Sequence, residues 1–397
     1  MDAVNFIYSG PYLFLLAAYL VLAFAEQNFT GRMAQNTVRC VCVLIFLFFF
    51  GLRGYIGWDW HSYVGIFDNV KPLFSGDYVS NYNMSQEAGF ITYISVIKWF
   101  TSDYHVFIFI SSLIDVVLLG IVFKRYSVSF AMSFAVFVAF SIILEVNLLR
   151  NIKSILIFLL AVPYLQQRKI IPYMLLIALA MTFHSSAIVY VPLYFILNRK
   201  FSEKTIIVTL GLGLIIYFVQ LPIWKTVLFW VTDLLDGILP VIKKSYVTSG
   251  IYGTGRGITP RIFETILFSA FVLMNYKKLV KQSESNLIFI NLFFGYQIVY
   301  LYFSEMVIIV DRIGNLFNIS YWIIIPVLMQ QKWTFRHLIK SFHWYLARIL
   351  IVSYMFAVLT VRTNNILYEY DNILFKHKSI EYRKDIFNKN ASKLLVG

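Results

Sequence analysis

Apolar stretches of about twenty residues recur along this chain, and clusters of lysine and arginine fall at alternate ends of them. Lys124–Arg125, Arg168–Lys169, Arg199–Lys200–Lys204, Lys277–Lys278–Lys281 and Lys332–Arg336–Lys340 each follow one run and precede the next; Arg32 and Arg39 do so more thinly near the start. A hydrocarbon core takes roughly 17–25 apolar residues per helix. Clustered basic residues mark the cytoplasmic side of a protein that crosses it repeatedly. A soluble fold does not suit such a chain: 59% of its 397 residues are hydrophobic and 14% are charged, against about 25% charged in a soluble domain. The net charge of +14 sits mostly in short loops, so orientation accounts for it and nucleic acid is not implied as a partner. It also favours contact with anionic membrane lipids.

Runs of this kind centre on 7–25, 38–52, 104–123, 128–148, 151–167, 170–183, 185–198, 204–221, 261–277, 286–303, 312–330 and 342–360. They predict an all-α, polytopic integral membrane protein of about 12 transmembrane helices, folded as a single transmembrane domain over 1–397. The run at 88–100 is short, opens with Glu87–Ala88–Gly89 and contains Lys98. If it crossed, Lys124–Arg125 would fall on the outer face and every later loop would invert, so a re-entrant or interfacial segment is expected. The resulting topology has an outer N-terminus, large outer segments at 53–103 and 222–260, and small outer turns near 149, 184 and 304–311. The tail 361–397 falls outside, against the preference of its lysines. The stretch Ile223–Val241 reads as an interfacial amphipathic helix. The first run lacks a basic leader and a small-residue cleavage site, so no removable signal peptide is expected. Cys40 and Cys42 lie two apart on a helix and point apart, which predicts neither a disulfide nor a metal site.

The outer side collects isolated ionisable residues, which are costly near the bilayer and are functional candidates for that reason. In Gly51–Leu52–Arg53–Gly54–Tyr55–Ile56–Gly57–Trp58–Asp59 three glycines break the helix. An arginine, whose planar fork suits phosphate, and an aspartate stand there among aromatics that stack on sugars. An interfacial aromatic belt with a local Arg–Asp pair is the plainer alternative. Asn147, Arg150 and Lys153 follow i, i+3 steps and share a helical face, which suits an anion site. His184 in Phe183–His184–Ser185–Ser186 splits a 28-residue run into two tight spans; it is either a proton acceptor or polar filler beside capping serines. Asp311–Arg312 and Asn315 form a fourth group, readable also as an ion pair that locks helices together. Gly250–Arg261 is glycine-rich but lacks the Lys-Ser/Thr of a nucleotide loop, and reads as an outer loop carrying Arg256 and Arg261. The six histidines have no metal-ligand spacing. Neither metal nor cofactor is called for.

Arg53, Arg150, Arg256, Arg261 and Arg312 fall on one face in this topology, with Asp59, Glu87 and His184 at similar depth. Such a set suits a lipid-linked diphosphate donor: arginines hold the departing diphosphate, and a carboxylate or histidine takes the proton of the attacking hydroxyl.

These motifs resemble the EpsG family of Wzy-like polysaccharide polymerases. The resemblance rests on Gly51–Asp59, Glu87–Ala88–Gly89–Phe90, Leu149–Arg150–Asn151–Ile152–Lys153, Phe183–Ser186 and Arg312, in that order. Trp58 stands where the family pattern more often has a small residue, and Asn151 where it more often has glutamine. The resemblance implies a GT-C-like, metal-independent and inverting glycosyltransferase. Its partners would be an undecaprenyl-diphosphate-linked oligosaccharide and a chain-length regulator protein. It would work at the periplasmic face of the bacterial inner membrane. Arg53, Arg150 and Arg312 become diphosphate or donor contacts; Trp58, Asn147, Lys153, Arg256, Arg261 and Asn315 are substrate-binding candidates from the reading of the residues rather than from the resemblance. Asp59 or Glu87 becomes the base, Asp59 ranked first because the glycine break would set it beside Arg53, with His184 as donor or alternative base. An O-antigen ligase, a lipid-linked sugar flippase and a membrane acyltransferase are the rival readings. A flippase would show internal repeats and mid-membrane breaks, and an acyltransferase a His–Asp pair.

Overall fold

The structure is a computed structural model that describes residues 6–29, 31–77, 80–81, 84–220, 223–224, 226–227, 257–330, 338–375 and 377–396. Arg256, most of the glycine-rich loop and most of Ile223–Val241 lie outside the described residues. Among those described the regular elements are helices, in chain order α1 Gly10–Asn28, α2 Arg32–Phe46, α3 Trp60–Asn69, α4 Ala88–Lys98, α5 Tyr104–Tyr126, α6 Phe130–Val146, α7 Leu149–Gln166, α8 Ile170–Phe183, α9 Tyr190–Ile196, α10 Glu203–Val219, α11 Arg261–Gln282, α12 Glu284–Tyr302, α13 Val307–Asn318, α14 Tyr321–Gln330, α15 Leu338–Thr363 and α16 Ile380–Val396.

Six of the described helices are long and apolar enough to cross a membrane, or seven if α13 and α14 count as one span bent by 53°. The run expected as a single span over 312–330 is therefore broken. The Ser320 N–H and hydroxyl both donate to the Phe317 carbonyl, at 3.0 and 2.8 Å, which tightens the backbone to an i−3 turn at the bend. The run split at His184 becomes a 14-residue α8 and a 3-10 turn, Ser185–Val189, before α9. The segment at 88–100 is the 11-residue α4, about 16 Å long. It is too short to cross. Lys98 ends it by donating to the Phe67 and Asp68 carbonyls.

The chain divides into two compact units. The first holds 1–164, 171–188 and 325–397, and its 23-residue α5 is about 34 Å long. The side chain of Asp103 caps α5 by accepting from the His105 and Val106 N–H groups. Lys124 and Arg125 lie at its far end. α6 returns from there, buried along nearly its whole length. The Glu26 carboxylate from the end of α1 meets its start, accepting from Ser129 Oγ at 2.6 Å and from the Phe130 and Ala131 N–H groups at 3.1 Å. An anion there complements the helix dipole. Glu26, Lys124 and Arg125 thus mark one end of the unit. The start of α1, the glycine-rich segment, Glu87, Asp103 and Arg150 mark the other.

The C-terminal tail joins that second end. Gly54 and Gly57 N–H groups donate to the Asp371 and Leu367 carbonyls at 2.9 and 2.8 Å, and the Ile373 N–H donates to Leu52. Tyr12 on α1 donates to the Tyr368 carbonyl at 2.8 Å. The tail therefore packs against the start of the first large loop, the side expected for it despite its lysines.

The second unit holds 165–170 and 189–324. Tyr190 donates to Leu316 O at 3.0 Å, and Asn291 ties α12 to the Leu197 and Arg199 carbonyls at 2.8 Å.

Candidate functional site

Three of the outer motifs meet in the first unit. Arg150, in the first turn of α7, donates from Nη1 to Glu87 Oε2 at 2.6 Å. The other oxygen of Glu87 accepts from the Ser185 N–H at 3.1 Å. Glu87 thus bridges the arginine motif and the His184 break. His184 Nδ1 lies 2.6 Å from Ser186 Oγ, which fixes the ring by one nitrogen. The Tyr63 hydroxyl of α3 also faces the Arg150 guanidinium.

The approach of α4 to α8 depends on Gly89: a Cβ there would lie 2.2 Å from Thr182 Oγ1 and 2.8 Å from the Thr182 carbonyl. Only a bare Cα lets Glu87 reach the break. The Arg150 and Glu87 side chains are 31% and 20% exposed, so this pair is open to a ligand. Burial pushes the Glu87 carboxyl up, but the Ser185 N–H, its own backbone N–H and Arg150 outweigh it and hold the carboxyl below its ordinary 4.5. The same burial raises the Tyr63 hydroxyl, opposed by Arg150.

Arg53 and Lys153 stand differently. Arg53 is 4% exposed and held on every side: Nη1 donates to Phe50 O at 3.0 Å and to Ser112 Oγ and Glu145 Oε1 at 3.4 Å, and Nη2 to Glu145 O at 2.7 Å. The Phe50 carbonyl is offered by a π turn, Leu47–Gly51, that ends α2; such widened turns gather at functional positions. The carboxylate beside Arg53 is that of Glu145, not of Asp59, so the reason for ranking Asp59 first as base is withdrawn. Glu145 and Asp115 lie inside apolar runs, where a lone acid is the signal that points to them. Lys153 is paired with Asp115 and donates to Ser111 Oγ at 2.8 Å, both ions buried. One ion pair therefore joins α7 to α5 and the other joins the glycine-rich segment to α6, with Ser112 of α5 hydrogen-bonded to both Arg53 and Glu145.

Asn147, Arg150 and Lys153 do not share one surroundings as their spacing suggested. Asn147 ends α6 before α7 begins. Its Oδ1 accepts from the Trp58 N–H at 3.0 Å and its Nδ2 donates to Tyr368 Oη at 2.7 Å, so it sets the backbone of Trp58. Gly57 makes room: its φ is +87°, and a Cβ would fall 1.9 Å from Asn147 Oδ1. Asp59 is the half-buried N-cap residue of α3.

In the second unit, Arg261 opens α11 with its guanidinium 4.7 and 4.8 Å from the rings of Tyr296 and Tyr300. Arg312 is exposed on α13 and Asn315 is half-buried.

The model of the EpsG family matches residues 36–372. The chain belongs to the EpsG family. That family consists of Wzy-like, polysaccharide-polymerase-type proteins, which supports a polymerase-like role in polysaccharide synthesis for this EpsG chain. The matched stretch takes in all the residues of the Glu87–Arg150–His184 cluster, whereas α16 lies beyond its end. No curated protein and no solved structure shows a significant match to this EpsG chain.

Proposed function

We propose that this EpsG protein polymerises undecaprenyl-diphosphate-linked oligosaccharide repeat units at the periplasmic face of the bacterial inner membrane, as a metal-independent, inverting glycosyltransferase. The reading includes about twelve crossings in a GT-C-like arrangement. The observation that carries it is the meeting of Arg150, Glu87 and the His184–Ser186 break, half-exposed, at one end of the first unit.

The ion pair suits an exchange. A diphosphate oxygen competes for the Arg150 guanidinium, a bidentate donor matched to phosphate. Once Arg150 turns to the diphosphate, Glu87 keeps the Ser185 N–H but loses the cation that adds to it in holding the carboxyl low, and its basicity rises. It then takes the proton of the acceptor sugar hydroxyl. That oxygen attacks the anomeric carbon as the bond to the diphosphate breaks, and the departing electron pair rests on the diphosphate that Arg150 neutralises. His184, tethered through Nδ1, is placed to donate to the sugar or the diphosphate. Lys153 and Arg53 act from behind by fixing α7 and the glycine-rich segment.

Purified protein in detergent, supplied with its own lipid-diphosphate-linked repeat unit as the only glycan, tests this on a ladder gel. Wild type is expected to build a ladder. Arg150→Ala and Glu87→Gln, folded by size-exclusion and melting, are expected to lose on the order of a hundred-fold or more in rate. No ladder from wild type, or a product only when a lipid-core acceptor is added, would overturn the reading, the latter in favour of a ligase.

A further inference from the structure

The tail carries a helix that the site just described does not use. α16 is anchored by Arg383, which is 2% exposed, donates from Nη2 to Glu369 O at 2.7 Å, and faces the Glu369 and Asp371 carboxylates at 3.7 and 4.0 Å. Lys378 pairs with Glu369, and its N–H reaches both oxygens of Asp371. One turn beyond Arg383, Phe387 lies flat on His61, with centroids 5.0 Å apart and planes 2° apart. The rings of Trp58 and Trp60 stand edge-on to it at 6.1 and 6.4 Å.

Three walls around one flat guest is the geometry that binds a pyranose. The C–H face of a sugar stacks on an aromatic plane, and neighbouring polar groups accept its hydroxyls. Here Asp59 lies between the two tryptophans in sequence, and His61 is exposed even with Phe387 upon it. Phe387 stands in for the apolar face of a sugar ring. The Gly57 N–H bond to Leu367 and the Trp58 N–H bond to Asn147 hold the walls independently of Phe387.

We propose that Trp58, Trp60 and His61 form a sugar subsite of this protein, and that Phe387 of α16 occupies it in the absence of glycan and competes with it. The inference rests on the reading of the protein as a glycan polymerase and adds to it both a subsite and a control by the tail. A glycan chain entering the subsite displaces Phe387, while the Arg383 anchor keeps α16 tethered for return.

The probe is a set of oligosaccharides cut by partial acid hydrolysis from the host's own surface polysaccharide, with dextran oligosaccharides of equal length as control. Binding is followed by tryptophan fluorescence and saturation-transfer NMR on the full chain, so polymerisation is not needed for a signal. Phe387→Ala, which leaves Arg383 and both carboxylates in place, is expected to bind the oligosaccharides roughly three- to ten-fold more tightly than wild type. Trp58→Ala in the Phe387→Ala chain is expected to cancel that gain. Unchanged affinity in Phe387→Ala, or a gain that survives Trp58→Ala or extends equally to dextran, overturns the subsite. Tighter binding by Phe387→Ala together with no ladder from any variant would uphold the subsite while removing the polymerase reading. An intact ladder with unchanged binding would do the reverse.

Discussion

The buried pair Arg53–Glu145 makes a prediction with a sign that depends on whether one partner is removed or both. Glu145→Leu leaves a guanidinium with two carbonyls and the Ser112 hydroxyl but no counter-ion, in a place where it is 4% exposed. Arg53→Met leaves the Glu145 carboxylate accepting from Ser112 Oγ at 2.6 Å, with no cation beside it. Breaking a buried pair from either side costs about 3–5 kcal/mol, because the charge left behind is uncompensated. Replacing both by apolar groups of similar volume removes both desolvation terms. What remains is the loss of the Phe50 and Glu145 carbonyl contacts, about 1 kcal/mol each. The double variant Arg53→Met/Glu145→Leu is therefore expected within about 2 kcal/mol of wild type, a coupling of roughly 4 kcal/mol or more against the sum of the singles. Reversible SDS titration in mixed micelles, read by tryptophan fluorescence, measures all four corners of the cycle. If Arg53 acts only by positioning the glycine-rich segment, the double variant is also expected to keep the ladder of the proposed activity. Additive single effects would refute the electrostatic argument. A double variant as stable as wild type but silent on the gel would return Arg53 to the substrate.

Two further outcomes follow from the same geometry. Gly57→Ala puts a side chain at a φ of +87°, with Cβ 1.9 Å from Asn147 Oδ1. The left-handed backbone costs about 1–2 kcal/mol, and displacing Asn147 from Trp58 and Tyr368 about 1 kcal/mol per bond, so about 3 kcal/mol is expected in the SDS titration and a change below about 0.5 kcal/mol would contradict the packing. Glu87 is held below its ordinary 4.5, so its contribution to stability is full above that value and is lost as pH falls through the lower native one; wild type should lose melting temperature across that acid window more steeply than Glu87→Gln, and parallel curves would show that the pair is not formed in solution.

The period of the apolar runs and the alternation of basic clusters made the helical class and the common side of Arg53, Glu87, Arg150 and His184 legible. Both follow from how a bilayer sorts apolar length and positive charge. The tail's place was not legible, since what holds it beside the first loop is backbone pairing between Gly54, Gly57 and residues 367–373, which leaves no pattern in one chain. The pairing of charges was not legible. Arg53 stands six residues from Asp59 and ninety-two from Glu145, yet the structure chooses the distant acid. A helix interior exposes its side chains to whichever helix packs against it, and the i, i+3 rule describes one helix alone. That is also why Asn147, Arg150 and Lys153 part company: the chain leaves α6 at Asn147 and enters α7 at Leu149, and the three side chains meet three different neighbours.

The two kinds of ion pair divide the labour in the first unit. Lys153–Asp115 and Arg53–Glu145 are almost wholly buried, whereas Arg150–Glu87 is 31% and 20% exposed. Coulomb energy falls steeply as solvent reaches a pair, so the buried pairs are fixed and the exposed one is exchangeable at modest cost. α7 carries one of each three residues apart, Arg150 above Lys153. In the proposed reaction a diphosphate would draw Arg150 from Glu87 without loosening the helix that presents it, because Lys153 still binds α7 to Asp115 and Ser111 of α5. If Lys153 held substrate instead, its removal would weaken substrate binding. As the anchor of α7 it should chiefly lower the rate, by letting Arg150 drift from the geometry in which the departing charge is met.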